Sequence, residues 1–136
     1  MAKLQHSLSS ELQYDGKPGF LVVQSGILQA AASLVRGNVF IPPCPMTIIA
    51  ARMNIITSYT HASTLFSIGT LADSGHDNIM TWDNEDLAAG DYDINSLGTW
   101  TTRALAAGVP VVVGCLAATD TTGLGAAYIV CEPTEA

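Results

Sequence analysis

Apolar and polar residues alternate in short runs along most of this chain, and Gly, Pro, Asp or Thr clusters interrupt the runs. From residue 35 onward the pattern has the period of strands. Val39-Phe40-Ile41 is β-rich and ends at Pro42-Pro43-Cys44-Pro45, where missing N–H donors demand a corner or a sheet edge. Met46 to Tyr59 reads as one long strand. Ile49, Ala51, Met53 and Ile55 make one parity uniformly apolar, so that parity is expected to face a core. The other parity, Ile48, Ala50, Arg52, Asn54 and Ile56, is mixed and is expected to face water or a neighbour. Ser63 to Leu71 is the next strand, followed by a short one near Ile79 to Trp82 and a turn at Leu87 to Gly90. The Thr and Trp content of Ser96 to Leu105 suits another strand. Val109 to Ala117 and Ala126 to Cys131 read as a closing hairpin around a polar loop.

These runs predict an all-β fold, an antiparallel β-sandwich or jelly roll spanning residues 35–136, with Ile49, Met53, Ile55, Val111, Val113 and Ile129 in its core. No βαβ alternation is present, which argues against a nucleotide-binding α/β fold. Residues 1–34 are more mixed. Gly16, Pro18 and Gly19 mark a turn, Leu21 to Val23 suits a short strand, and Ile27 to Leu34 fits a helical turn or an extended piece equally well. They are assigned to an N-terminal arm or extended segment.

Composition changes the picture in one respect. Charged residues make up only 12% of the 136 positions and hydrophobic ones 49%, against roughly a quarter charged in an ordinary soluble domain. No run reaches the roughly 18 uninterrupted apolar residues of a spanning helix, and the N-terminus lacks the pattern of a signal peptide. A surface so poor in charge is expected to be covered by other protein. Obligate interfaces are depleted in charge in this way and resemble a core cut in half. The net charge is −7, and the span between Arg52 and Arg103 contains acids but no Lys or Arg. Such a surface repels phosphate backbones, so nucleic-acid binding is disfavoured. Asp83, Glu85, Asp86, Asp91 and Asp93 are expected to form an exposed acidic face that keeps the particle soluble.

The residues carry little chemistry. Cys44, Cys115 and Cys131 sit in apolar, strand-like surroundings, without metal-ligand spacing, and read as reduced small hydrophobes. His6, His61 and His76 are scattered. Asp91 to Asn95 begins like a calcium loop, but Ser96 and Thr102 stand where an EF-hand needs Gly and Glu. Ser74-Gly75-His76-Asp77 holds the letters of a catalytic triad within one loop, where adjacent side chains rarely converge. Cys115 or Cys131 with His61 is the formal nucleophile pair, but thiols in apolar strands stay protonated. Trp82 and Trp100 read as core or interface anchors rather than sugar platforms. No catalytic, cofactor or metal residue is therefore expected, and the chain does not read as an enzyme.

The run Gly37 to Pro43, the strand start Met46-Thr47-Ile48-Ile49, and Ser67-Ile68-Gly69-Thr70 before an Ala/Asp-rich loop resemble the head decoration (cement) proteins of tailed bacteriophages. The closing pair Val111 to Cys131 is similar to theirs as well, and the resemblance covers residues 35–131. It implies a jelly-roll fold and a homo-oligomer, trimer before dimer. It also implies synthesis in the host cytoplasm, a place on the outer surface of an icosahedral virion, and the major capsid protein as partner, with no catalytic residues. The competing reading is a jelly-roll head of a trimeric fibre that binds a host glycan or receptor. A metal-dependent cupin is a weaker third, since His61 and His76 lack clustered ligands.

Overall fold

The computed structural model describes residues 11–14, 17–31, 33–60, 65–117 and 122–134. They form two antiparallel sheets packed face to face. Sheet A has the order β1 (Glu11–Tyr14), β2 (Lys17–Gln29), β11 (Leu124–Pro133), β4 (Met46–Thr57), β7 (Gly90–Tyr92), with the short β9 (Ala104–Leu105) pairing the start of β4. Sheet B has the order β3 (Val35–Phe40), β10 (Val111–Ala117), β5 (Leu65–Thr70), β6 (Met80–Asp83), β8 (Thr99–Trp100). One helical turn, α1 (Ile94–Leu97), precedes β8 and is capped by the Asp93 carboxylate, which accepts from the Asn95 N–H at 3.1 Å.

β11 is the axis of sheet A, paired along its length with β2 on one side and β4 on the other. Residues 17–29 are therefore a strand of the sandwich and not an arm outside it. The expected boundary at residue 34 falls between β2 and β3. Sequence alone shows only Leu21 to Val23 of this strand, because Gly26 breaks its alternation. Residues 1–10, the rest of the expected arm, lie outside the described residues.

The parity expected for β4 holds only past its midpoint. Met46 and Ile48 are buried at one end, and Ala51, Met53 and Ile55 at the other, while Ile49 is only half-buried. The register explains the switch: Ile48 pairs Cys131 and Ala50 pairs Val130, which leaves Ile49 as the extra residue of a bulge. A bulge moves the following side chains to the opposite parity, so Ile48 takes the core place expected of Ile49. Met53, Ile55, Val111, Val113 and Ile129 are buried in the core cluster. Each fully buried side chain of this size contributes about 1.5–3 kcal/mol.

The two closing strands do not form the expected hairpin. β10 lies between β3 and β5 in sheet B, whereas β11 lies in sheet A. The connection crosses from one sheet to the other, and two apolar runs around a polar loop look the same in either arrangement. An aromatic contact, Trp82 with Tyr92, also ties the layers. Trp82 of sheet B meets Phe66 edge-on at 6.5 Å between centroids and Tyr92 of sheet A at 5.6 Å. The expected strand from Ser96 to Leu105 is instead α1, β8 and β9 joined by turns.

The segment after β5 doubles back over sheet B. Ser67 and Gly69 have the parity opposite to the core residues Phe66 and Ile68, so they face outward. A Cβ on Gly69 would lie 2.2 Å from the His76 carbonyl carbon, so the His76 backbone rests directly on that glycine. The Ser67 hydroxyl donates to the His76 carbonyl at 2.8 Å. Residues 72–93, expected as a solvent-facing loop, hold both exposed and buried positions. Asp83, Asp86, Asp91 and Asp93 are exposed and Glu85 is half-buried, while His76, Ile79, Met80, Trp82 and Asn84 are buried. Gly69→Ala is expected to destabilise the fold by about 3 kcal/mol, because backbone must move to admit one methyl group. Urea unfolding of the variant measures the loss.

Candidate assembly surface

β3 is an edge strand of sheet B, and its free edge faces β2 across an open groove. The groove has a volume of about 640 Å³ and is lined by Leu21, Val22, Val23 and Gln24 of β2 and by Asn38, Val39 and Phe40 of β3. None of these residues is charged. At its narrow end the Asn38 amide donates to the Gln24 carbonyl at 3.0 Å.

A bulge in β2 creates this geometry. Tyr128 pairs Gln24 and Ala126 pairs Ile27, so Ser25 and Gly26 together oppose Ala127. Gly26 has φ of 77°, a conformation that costs a side-chain-bearing residue energy but not glycine. The buried Ser25 hydroxyl accepts from the Ala127 N–H at 2.9 Å and donates to the Gly26 carbonyl at 2.6 Å. Backbone groups that the bulge removes from the ladder are thereby satisfied.

The groove runs on to an apolar end of sheet B. Pairing sets Phe40 beside Val111 and Val111 beside Thr70. The Leu71 N–H then donates to the Pro110 carbonyl at 2.9 Å, and the Gly108 N–H to the Pro42 carbonyl at 2.8 Å. Val39, Ile41, Leu71 and Val109 consequently stand near one another and are 49%, 58%, 41% and 38% exposed. Edge strands are normally blunted by charge, and here Arg36 is the one charged residue of β3, with exposed Val39 and then Ile41 toward its other end. The β-rich run before Pro42 was the sequence signal for this surface, but it did not show which side chains stay exposed.

The outer face of sheet A is also poor in charge. One row across it is Gln24, Tyr128 and Arg52, and the next is Ile27, Ala126, Asn54 and Asp91. Arg52 and Asp91 form an exposed ion pair at 3.2 Å, worth under about 1 kcal/mol. Ile27 is 64% exposed.

The residues considered for chemistry are placed differently. The buried His76 ring accepts at Nε2 from the Arg36 guanidinium at 2.9 Å and lies 3.1 Å from the Thr70 carbonyl through Nδ1. With Nε2 accepting, Nδ1 is the donor toward the Thr70 carbonyl, and both ring nitrogens are engaged. Burial raises the Cys115 thiol above its ordinary range, and the thiol of Cys131 is pushed up to about 12. Both are unsuited to nucleophilic work. Cys44 is half-buried. His6 and His61 lie outside the described residues. Asp93 caps α1 and Asp91 pairs with Arg52. Among the described residues, no three His, Cys, Asp or Glu side chains gather as a metal set. Trp82 is buried, and Trp100 lies half-buried with the Arg103 guanidinium 4.2 Å over its ring. No helix among the described residues is long and apolar enough to cross a membrane.

No family model and no curated protein sequence matches the chain. A solved structure does: a chain in the acidic stable capsid structure of Helicobacter pylori bacteriophage KHP30. The similarity covers 85% of this chain and 89% of that one, with a TM-score of 0.51 and 12% sequence identity. The two chains share a fold.

Two outcomes follow from the interior. Asn84 is fully buried with no hydrogen-bond partner for its amide nitrogen or oxygen among the described residues. Asn84→Leu is therefore expected to raise stability by about 1 kcal/mol by removing a desolvated, unpaired amide, as read from the urea midpoint. The Cys131 thiol, raised from 9.0 to about 12, holds its proton more tightly folded than unfolded. Its contribution is complete below pH 9 and is lost as pH rises through that window. Unfolding free energy should therefore fall between pH 9 and about 12, and Cys131→Ala should make that fall shallower.

Proposed function

We propose that this chain is a structural protein of a bacteriophage virion. It decorates the outer surface of the capsid and cements it by binding across major capsid protein subunits. The observation that carries the reading is the charge-free groove and exposed apolar end along the open β3 edge. The fold shared with a chain of a phage capsid structure supports it.

An unpaired edge offers backbone N–H and C=O groups to an added strand, and neighbouring apolar side chains supply buried area. Each contact is small, and a repeating lattice presents many of them at high effective concentration. A homo-oligomer, trimer before dimer, belongs to the same reading, since closed symmetry is how like chains cover a shared apolar patch. The exposed Asp83, Asp86 and Asp93 remain toward solvent.

Co-sedimentation with purified capsids tests the proposal. The protein is expected to pellet with capsids at micromolar concentration. Val39→Lys and Ile41→Lys should abolish pelleting while changing stability by no more than about 0.5 kcal/mol, as exposed positions do. The triple change Asp83→Ser, Glu85→Ser, Asp86→Ser should leave pelleting intact. Wild-type protein that stays in the supernatant, or edge variants that pellet normally, overturns the reading.

A further inference from the structure

The outer face of sheet A holds a second concavity, which shares Gln24 with the groove beside β3. It is a surface depression of about 340 Å³. Its floor is made by the small residues Ala126 and Ala127, and its walls by Ile27 and Tyr128. Asn54 and Asp91 stand at its rim from β4 and β7, directly opposite each other in register. Tyr128 is 37% exposed, so part of its surface is open to a ligand. The Arg52 guanidinium lies 3.2 Å from Asp91 Oδ2 beside the rim.

We propose that this depression binds one pyranose ring of a neutral glycan. The chemistry of the walls selects the ligand. A pyranose has an apolar C–H face that packs against an aromatic or aliphatic side chain, here Tyr128 and Ile27. Its ring hydroxyls each donate and accept. The Asp91 carboxylate can only accept, and the Asn54 amide does both. A purely apolar ligand would strip water from Asn54 and Asp91 without replacing its hydrogen bonds, which costs free energy. An anionic sugar or a phosphate would meet the Asp91 carboxylate and a chain of net charge −7. The volume lies at the lower end of the range for small-molecule sites, about 300–1,000 Å³, which suits a single ring. Binding at one such site is weak, and an array of copies multiplies it.

The proposal goes beyond the virion role and needs only the isolated chain, so the two readings fail separately. Amide-detected NMR titration of the full protein with methyl glycosides of galactose, mannose and glucose, and with N-acetylglucosamine, tests it. At least one sugar is expected to shift the amides of Ile27, Asn54, Ala126 and Tyr128 with millimolar affinity. Tyr128→Ala and Asn54→Ala should each weaken binding by about tenfold or more, while Tyr128→Phe, which keeps the ring, should retain most of it. Val39→Lys should leave it unchanged. No shift with any of these sugars, shifts elsewhere on the surface, or binding untouched by Tyr128→Ala overturns the proposal. Concentration-dependent shifts on this face without sugar would mark it instead as a self-association surface, and would overturn it too.

Discussion

One bulge organises the two concave surfaces of this protein. Where Ser25 and Gly26 oppose Ala127, the Ser25 hydroxyl takes the Ala127 N–H and gives its own proton to the Gly26 carbonyl. That arrangement requires the positive φ of Gly26. Before the bulge, β2 runs past β3 and leaves the uncharged groove between Leu21–Gln24 and Asn38–Phe40. After it, Ile27 stands on the outer face of sheet A as a wall of the second depression, and Gly26 with Ala126 leaves that face hollow. Without the hydroxyl, two backbone groups would lose partners, and an unsatisfied buried one costs about 1–3 kcal/mol.

The charge deficit of the chain acquires a place in this geometry. A sandwich of this size buries one face of each sheet and must present the others. On sheet B part of the outer face is covered internally, because the turn through His76 lies on Gly69 and is pinned by Ser67 and Arg36. At the β3 edge, β2 packs against Gly37 and Asn38, while Val39 and Ile41 stay exposed. Among the acids of residues 73–93, Asp77, Asp83, Asp86, Asp91 and Asp93 are exposed, and Asp73 and Glu85 are half-buried.

The strand-period alternation and the spacing of the turns made the all-β sandwich legible in the sequence. The errors share a physical cause. Period-two reasoning assumes an unbroken pleat, and bulges at Ile49 and at Ser25-Gly26 break it, which moved Ile48 inward in place of Ile49 and hid all of β2 but Leu21 to Val23. Two apolar runs around a polar loop carry no mark of whether they share a sheet, so β10 and β11 were read as a hairpin. His76 looked like a loop residue because its partners, Arg36 and the Thr70 carbonyl, are contributed by other parts of the fold. The candidate surfaces were legible only as a shortage of charge. Their positions depend on which strands end up at an edge, and that is set by pairing between residues far apart in the chain.

The claim at the centre of this account is that the β3 edge and the groove beside it form the contact surface. Hydrogen–deuterium exchange of the protein, free and bound to capsids, tests it most directly. The account predicts that amides of residues 35–41 and 21–24 whose N–H groups face the groove become protected on binding, while residues 83–93 exchange as they do in the free protein. Protection confined to residues 83–93, with residues 35–41 unchanged, would contradict it.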